Sequence, residues 1–78
     1  MKLTPTEYQL LATLASHPGL VLTQHQLLER VWGQDYTADR HLLHVNIARV
    51  RRKIEPDPDN PRYLITRTGV GYLIPKPD

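Results

Sequence analysis

Cysteine is absent from the 78 residues, which excludes disulfides and thiolate metal sites and leaves the redox compartment open. Serine occurs once, as Ser16, with no Asp placed to serve it, so nucleophilic catalysis has no visible machinery. Aromatic residues make up only 6% and do not gather into the stacking platform that single-stranded RNA requires. No apolar run approaches the length of a membrane span, and none after Met1-Lys2 has the length of a signal peptide. The expectation is a cytoplasmic chain with no membrane partner. A chain this short forms one domain, residues 1–78, with a small core and modest stability.

Acidic residues are missing from one place in particular. Between Arg40 and Ile54 stand Arg40, Arg49, Arg51, Arg52 and Lys53 with no Asp or Glu. The remaining sequence holds five Lys/Arg against eight Asp/Glu and is net acidic. A basic segment on an acidic body is the footprint of a phosphate-binding surface, although a solvated helix face gives the same composition.

Local signals mark three helices and a hairpin. Thr4-Pro5-Thr6-Glu7 combines an N-cap, a proline at the first helical position and the glutamate of a capping box. Tyr8, Leu11, Leu14 and Ala15 continue at helical spacing until His17-Pro18-Gly19 stops the helix. Thr23-Gln24-His25-Gln26 is a second capping box, followed by Leu27, Leu28, Val31 and Trp32 and closed by Gly33. The linker Leu20-Val21-Leu22 is expected beneath the helix pair. Residues 34–38 read as a loop. Asp39 or Thr37 caps a third helix whose Leu43, Ile47, Val50 and Ile54 form one narrow stripe. Its opposite side carries His41, Val45, Ala48, Arg49 and Arg52, with Arg51 and His44 flanking the stripe. Glu55 to Pro61 is an acidic, proline-stiffened connector. Residues 63–66 and 72–74 have strand character around the turn Thr68-Gly69-Val70-Gly71. The fold class expected is α+β, mainly α: a winged helix-turn-helix of three helices and a C-terminal hairpin wing.

Four stretches make the resemblance specific. They are residues 3–11, Leu27-Leu28-Glu29-Arg30-Val31-Trp32-Gly33, residues 45–54, and Thr68-Gly69-Val70-Gly71-Tyr72. In that order and spacing the chain resembles the C-terminal effector domain of OmpR/PhoB response regulators. Within the family His41 and the segment 66–72 most resemble the KdpE branch, which regulates potassium-transport operons. The resemblance implies sequence-specific binding of duplex DNA, no enzymatic activity and no cofactor. The helix at about 39–54 would enter the major groove, and the wing at about 63–74 would reach the minor groove.

On this reading Arg49, Val45 and Asn46 are the expected base contacts. Arginine can bond guanine O6 and N7 in parallel, and Val45 suits a thymine methyl. Asn46 leans toward the protein on a helical wheel, so a contact within the helix competes with a base or phosphate contact. Gln24, Trp32, His41, Arg51, Arg52 and Tyr72 are expected at phosphates, which position the protein without carrying sequence information. Trp32 is first a core residue, and Lys53 reads as a further phosphate ligand, with a merely solvated side chain as its alternative. Thr66, Arg67 and Thr68 form the wing, where Arg67 would respond to groove width.

The family commonly carries basic residues where this chain has Ala48, Thr68 and Leu73, and Arg where it has His41. These changes alter the site that is bound rather than the class of ligand. Residues 34–38 lie where the family touches RNA polymerase. The family's N-terminal sheet and its receiver domain are not in the sequence, and Met1-Lys2-Leu3 is the expected remnant of that sheet's last strand. Pairing of receivers would make the assembled regulator a homodimer on tandem DNA repeats. The competing classes are a winged helix used for protein contact and a metal site at His41 and His44, and neither needs the arginine-rich helix.

Overall fold

The computed structural model describes residues 2–77. Three helices, α1 (Pro5–Ala15), α2 (Gln24–Trp32) and α3 (Arg40–Ile54), surround one apolar core. Both capping boxes form. Thr4 Oγ1 accepts from the Glu7 N–H while the Glu7 carboxylate accepts from the Thr4 N–H, and Thr23 and Gln26 repeat the arrangement. Each box satisfies two of the amides that a helix start leaves without partners. Asp39 rather than Thr37 caps α3, accepting from the Leu42 N–H.

The helical stripes meet where their periodicity sends them. Leu10 and Leu14 of α1, Leu27 and Leu28 of α2, and Leu43, Ile47 and Val50 of α3 are all fully or almost fully buried. Lys53 is not simply solvated. It pairs with the buried Glu7 and ties α3 to the start of α1. That ammonium and the Thr4 amide hold the Glu7 carboxyl below its ordinary value, against the opposing effect of burial.

The wing departs from a simple hairpin. Strands β2 (Ile65–Arg67) and β3 (Gly71–Leu73) pair antiparallel, with Thr66 opposite Tyr72. A third strand, β1 (Leu22–Thr23), pairs with the other edge of β3, giving the order β1-β3-β2. The linker before α2 is therefore not uniformly buried. Leu22 is in the core, whereas Leu20 is 52% exposed. Gly71 belongs to β3 rather than to the turn, and Tyr63 precedes β2 as an exposed residue. Pairing with β1 fixes the root of the wing to the helices, which an isolated hairpin could not achieve. Residues Gln34–Tyr36 form one 3-10 turn instead of an irregular loop. Lys2 and Leu3 carry no strand, and Met1 of the expected remnant lies outside the described residues. Among the described residues no helix is long and apolar enough to cross a membrane.

Candidate nucleic-acid interface

Helix α3 has two sides. Its inner side supplies Leu43, Asn46, Ile47 and Val50 to the interior. Its outer side exposes Arg40, His41, His44, Ala48, Arg49 and Arg52. At about 100° per residue, His41, Val45, Ala48 and Arg52 fall on the centre line of the outer side. Arg49 stands toward α1, lining a cleft with Thr4, Glu7, Arg52 and Lys53, and His44 stands toward the wing. Val45 is half-buried beside them.

A continuous groove separates α3 from the wing. Gln24 of α2, His44, Ala48 and Arg51 of α3, and Arg67 and Thr68 of the wing share its walls. The N-terminus of α2 therefore opens into the same space as the outer side of α3. Backbone N–H groups at such a helix start favour an anion. Thr66, Arg67 and Thr68 are all exposed along the wing. The turn that presents them is closed by the Val70 N–H donating to the Arg67 carbonyl.

Three residues expected at DNA have other engagements. Asn46 is 7% exposed, and its Nδ2 donates to the Leu42 carbonyl within α3, the contact toward which its wheel position leans. Tyr72 is buried in the core cluster rather than presented on the wing. Burial raises its hydroxyl pKa above the ordinary value, and the nearby Arg51 charge opposes that rise. Arg51 lies with its guanidinium 5.8 Å from the centre of the Tyr72 ring. It donates through Nε and Nη2 to the Leu64 carbonyl at 3.1 and 2.8 Å, and through Nη2 to Thr66 Oγ1 at 2.7 Å. Burial pushes its pKa below the ordinary arginine value. Arg51 is thus a strut between α3 and β2. Trp32 is half-buried against the core, as its first reading has it.

The strut has a partner that sequence reasoning passed over. Glu55, at the C-terminal end of α3, is buried at 7% exposure. Its carboxylate accepts from the backbone N–H groups of Arg62, Tyr63 and Leu64 at 2.8, 3.0 and 2.8 Å. Read along the chain, Glu55 is one acid in an acidic connector, and no local pattern distinguishes it from Asp57 or Asp59. Together Glu55 and Arg51 bond the backbone entering β2 and so set where the wing leaves the body. Arg51→Gln is expected to cost about 1–3 kcal/mol, because the buried Leu64 carbonyl loses its charged donors. A urea midpoint equal to that of the parent would refute the strut.

Among the described residues no group of three or more potential ligands gathers to hold a metal. The interface is a basic, partly grooved surface.

The family described as "Transcriptional regulatory protein, C terminal" matches residues 1–74. Solved structures agree. The response regulator DrrB of Thermotoga maritima, an OmpR/PhoB homolog, is 36% identical with a TM-score of 0.86, over 96% of this chain and 34% of that one. This chain therefore spans about a third of the DrrB chain. The DNA-binding domain of CpxR from E. coli is 35% identical with a TM-score of 0.78, over 95% of this chain and 72% of that domain. The DNA-binding domain of Klebsiella pneumoniae RstA, solved in complex with the RstA box, is 27% identical with a TM-score of 0.85, over 95% and 73%. Domains of this kind act in transcriptional regulation and are not enzymes. The matched residues and the shared architecture together show that the chain belongs to the family of C-terminal domains of transcriptional regulatory proteins, with the winged-helix fold of the OmpR/PhoB DNA-binding domains.

Proposed function

We propose that this chain binds duplex DNA in a sequence-specific manner, as the effector part of a two-component regulator working in the cytoplasm. Helix α3 enters the major groove, and the Arg67 turn reaches the adjacent minor groove. The observation that carries this reading is the unpaired basic side of α3, continuous with the α2 N-terminus and the wing. Among the described residues no carboxylate lines the groove between them. Solved neighbours in complex with DNA, RstA with its box and AdeR with an intercistronic region, support it.

Arg49 and Val45 are the base-reading residues in this proposal. Arg52, His41, Gln24 and Trp32 meet phosphates, and Arg67, Thr66 and Thr68 meet the minor-groove walls. Asn46 and Tyr72 act from beneath, and Arg51 holds the wing while offering its remaining face to a phosphate. The turn at 34–38 is the proposed contact with RNA polymerase, and Tyr36, 48% exposed there, is its apolar element. Potassium-transport operons are the proposed targets, reached by a homodimer paired through receiver domains.

Arg52→Ala is expected to weaken all duplexes alike and to reduce the salt slope by about 1. Arg49→Ala is expected to cost about 1–3 kcal/mol and to relax preference at one base position. Intact chain carries about three to five phosphate contacts, so log K falls with log salt at a slope of roughly −3 to −5. Anisotropy titrations at several salt concentrations measure all three. Unchanged duplex affinity in the Arg49→Ala/Arg52→Ala double variant would instead favour a winged helix that binds protein.

A further inference from the structure

Three of the four histidines lie on one surface. His41 and His44 are exposed one turn apart on the outer side of α3. His25 is exposed in the first turn of α2, where it lines a second cleft with Gln24, Arg40 and the wing residues Gly69 and Val70. That cleft adjoins the groove holding His44, and the two share Gln24 and Gly69. The fourth, His17, sits apart at the end of α1, with a ring nitrogen 3.2 Å from the Thr13 carbonyl.

The charges lining the clefts of His25 and His44 are one-sided. His44 shares its groove with Arg51, Arg67 and Tyr72, and His25 shares its cleft with Arg40. Among the described residues no carboxylate lines either space. His41 follows Arg40, and two residues back stands the Asp39 carboxylate that caps α3 through the Leu42 N–H. The arginines give both clefts a positive lining. A DNA phosphate brought into these clefts reverses that balance. It accepts a charge-assisted hydrogen bond from an imidazolium, and so favours the protonated ring.

We propose that His25, His41 and His44 bind DNA phosphates as imidazolium groups, so that DNA binding by this chain takes up protons. This rests on the DNA-binding reading and adds His25 and His44 to its contacts. Imidazole is the side chain whose charge ordinarily changes between about pH 5 and 8, so affinity rises as pH falls across that range. Linkage makes the gain about fivefold per histidine between pH 8 and pH 6. The buried carboxylates of the fold do not titrate there. Glu7 and Glu55 are held below the ordinary carboxylate range, and Tyr72 is held above the ordinary tyrosine value.

The test is an anisotropy titration of the whole chain with a labelled mixed-sequence duplex of about two helical turns, at pH 6 and pH 8 and constant ionic strength. Calorimetry in two buffers of different ionisation enthalpy counts the protons. The expected result is binding roughly a hundredfold tighter at pH 6, with net proton uptake. His25→Gln, His41→Gln and His44→Gln each remove a share, and the triple variant binds at pH 8 but shows less than about a twofold change at pH 6. His17→Gln leaves the dependence intact. A pH-independent parent, or a triple variant that keeps the parent's dependence, overturns the proposal. Absence of binding at both pH values, even at low salt, removes the DNA-binding reading and this proposal with it.

Discussion

Gly71→Ala is expected to remove a large part of the chain's stability at room temperature. Gly71 is where β3 passes closest to β1. A methyl group placed on it would lie 1.9 Å from the Leu22 carbonyl oxygen and 2.9 Å from the Thr23 Cα, both backbone atoms. Backbone cannot swing aside as a side chain can. The two strands must separate, and β1 consists of only two residues. Their separation withdraws Leu22 and Tyr72 from the core that they share with α1 and α2. Overpacking of this kind costs about 3 kcal/mol or more. A domain of this size has roughly 4–12 kcal/mol in total, and small domains sit toward the lower end. Gly69 provides the control. It has φ +78° in the wing turn but no atom within 4 Å of an added Cβ, so Gly69→Ala meets only backbone strain of about 1–3 kcal/mol. Urea unfolding followed by circular dichroism separates the two. Equal midpoints for Gly71→Ala and the parent would mean that the β1–β3 approach is not a constraint.

What was legible in the sequence was what is local. Each capping box spans four residues, and each bonds as its spelling implies. The core stripe of α3 follows from helical periodicity alone, and Asp39 caps it. What escaped depends on residues far apart in the chain. Strand β1 exists because Leu22 meets Tyr72, and a two-residue strand has no period to detect. Arg51 and Lys53 stand in one basic run, yet one bonds a carbonyl thirteen residues on and the other pairs with a glutamate in α1. Charge patterning cannot separate them from Arg49 and Arg52, which remain exposed. Asn46 was partly legible, since its wheel position already leaned inward. The consequence for the interface is specific. Of four cations on the last turns of α3, two are engaged by the fold and two make no such contact among the described residues. The net charge of the segment therefore overstates its DNA contacts.

Glu55→Gln is expected to destabilise the chain by about 2–4 kcal/mol at neutral pH while abolishing much of its acid sensitivity. The carboxylate accepts three backbone N–H groups where α3 gives way to the wing. Glutamine keeps one acceptor oxygen but turns an NH2 group toward amides that also donate, so at least one buried N–H loses its partner. Burial alone would raise the Glu55 carboxyl. The amides of Arg62, Leu64 and Tyr63, with the Arg51 charge, outweigh it and hold the value below the ordinary one. A carboxyl whose folded value lies below its unfolded value contributes stability that is complete above the unfolded value. That contribution is lost as pH falls through the folded value. The window therefore opens near the ordinary glutamate value of about 4.3 and extends downward. Glu7 contributes in the same direction, since its carboxyl is also lowered by Lys53 and Thr4. Urea midpoints of parent and Glu55→Gln should converge as pH falls through this window, with Glu7 left to account for the remaining slope. A difference that stays constant from neutral to acid pH would show that the side chain stabilises by packing and not as an anion. The wing would then depend on Arg51 alone for its attachment to α3.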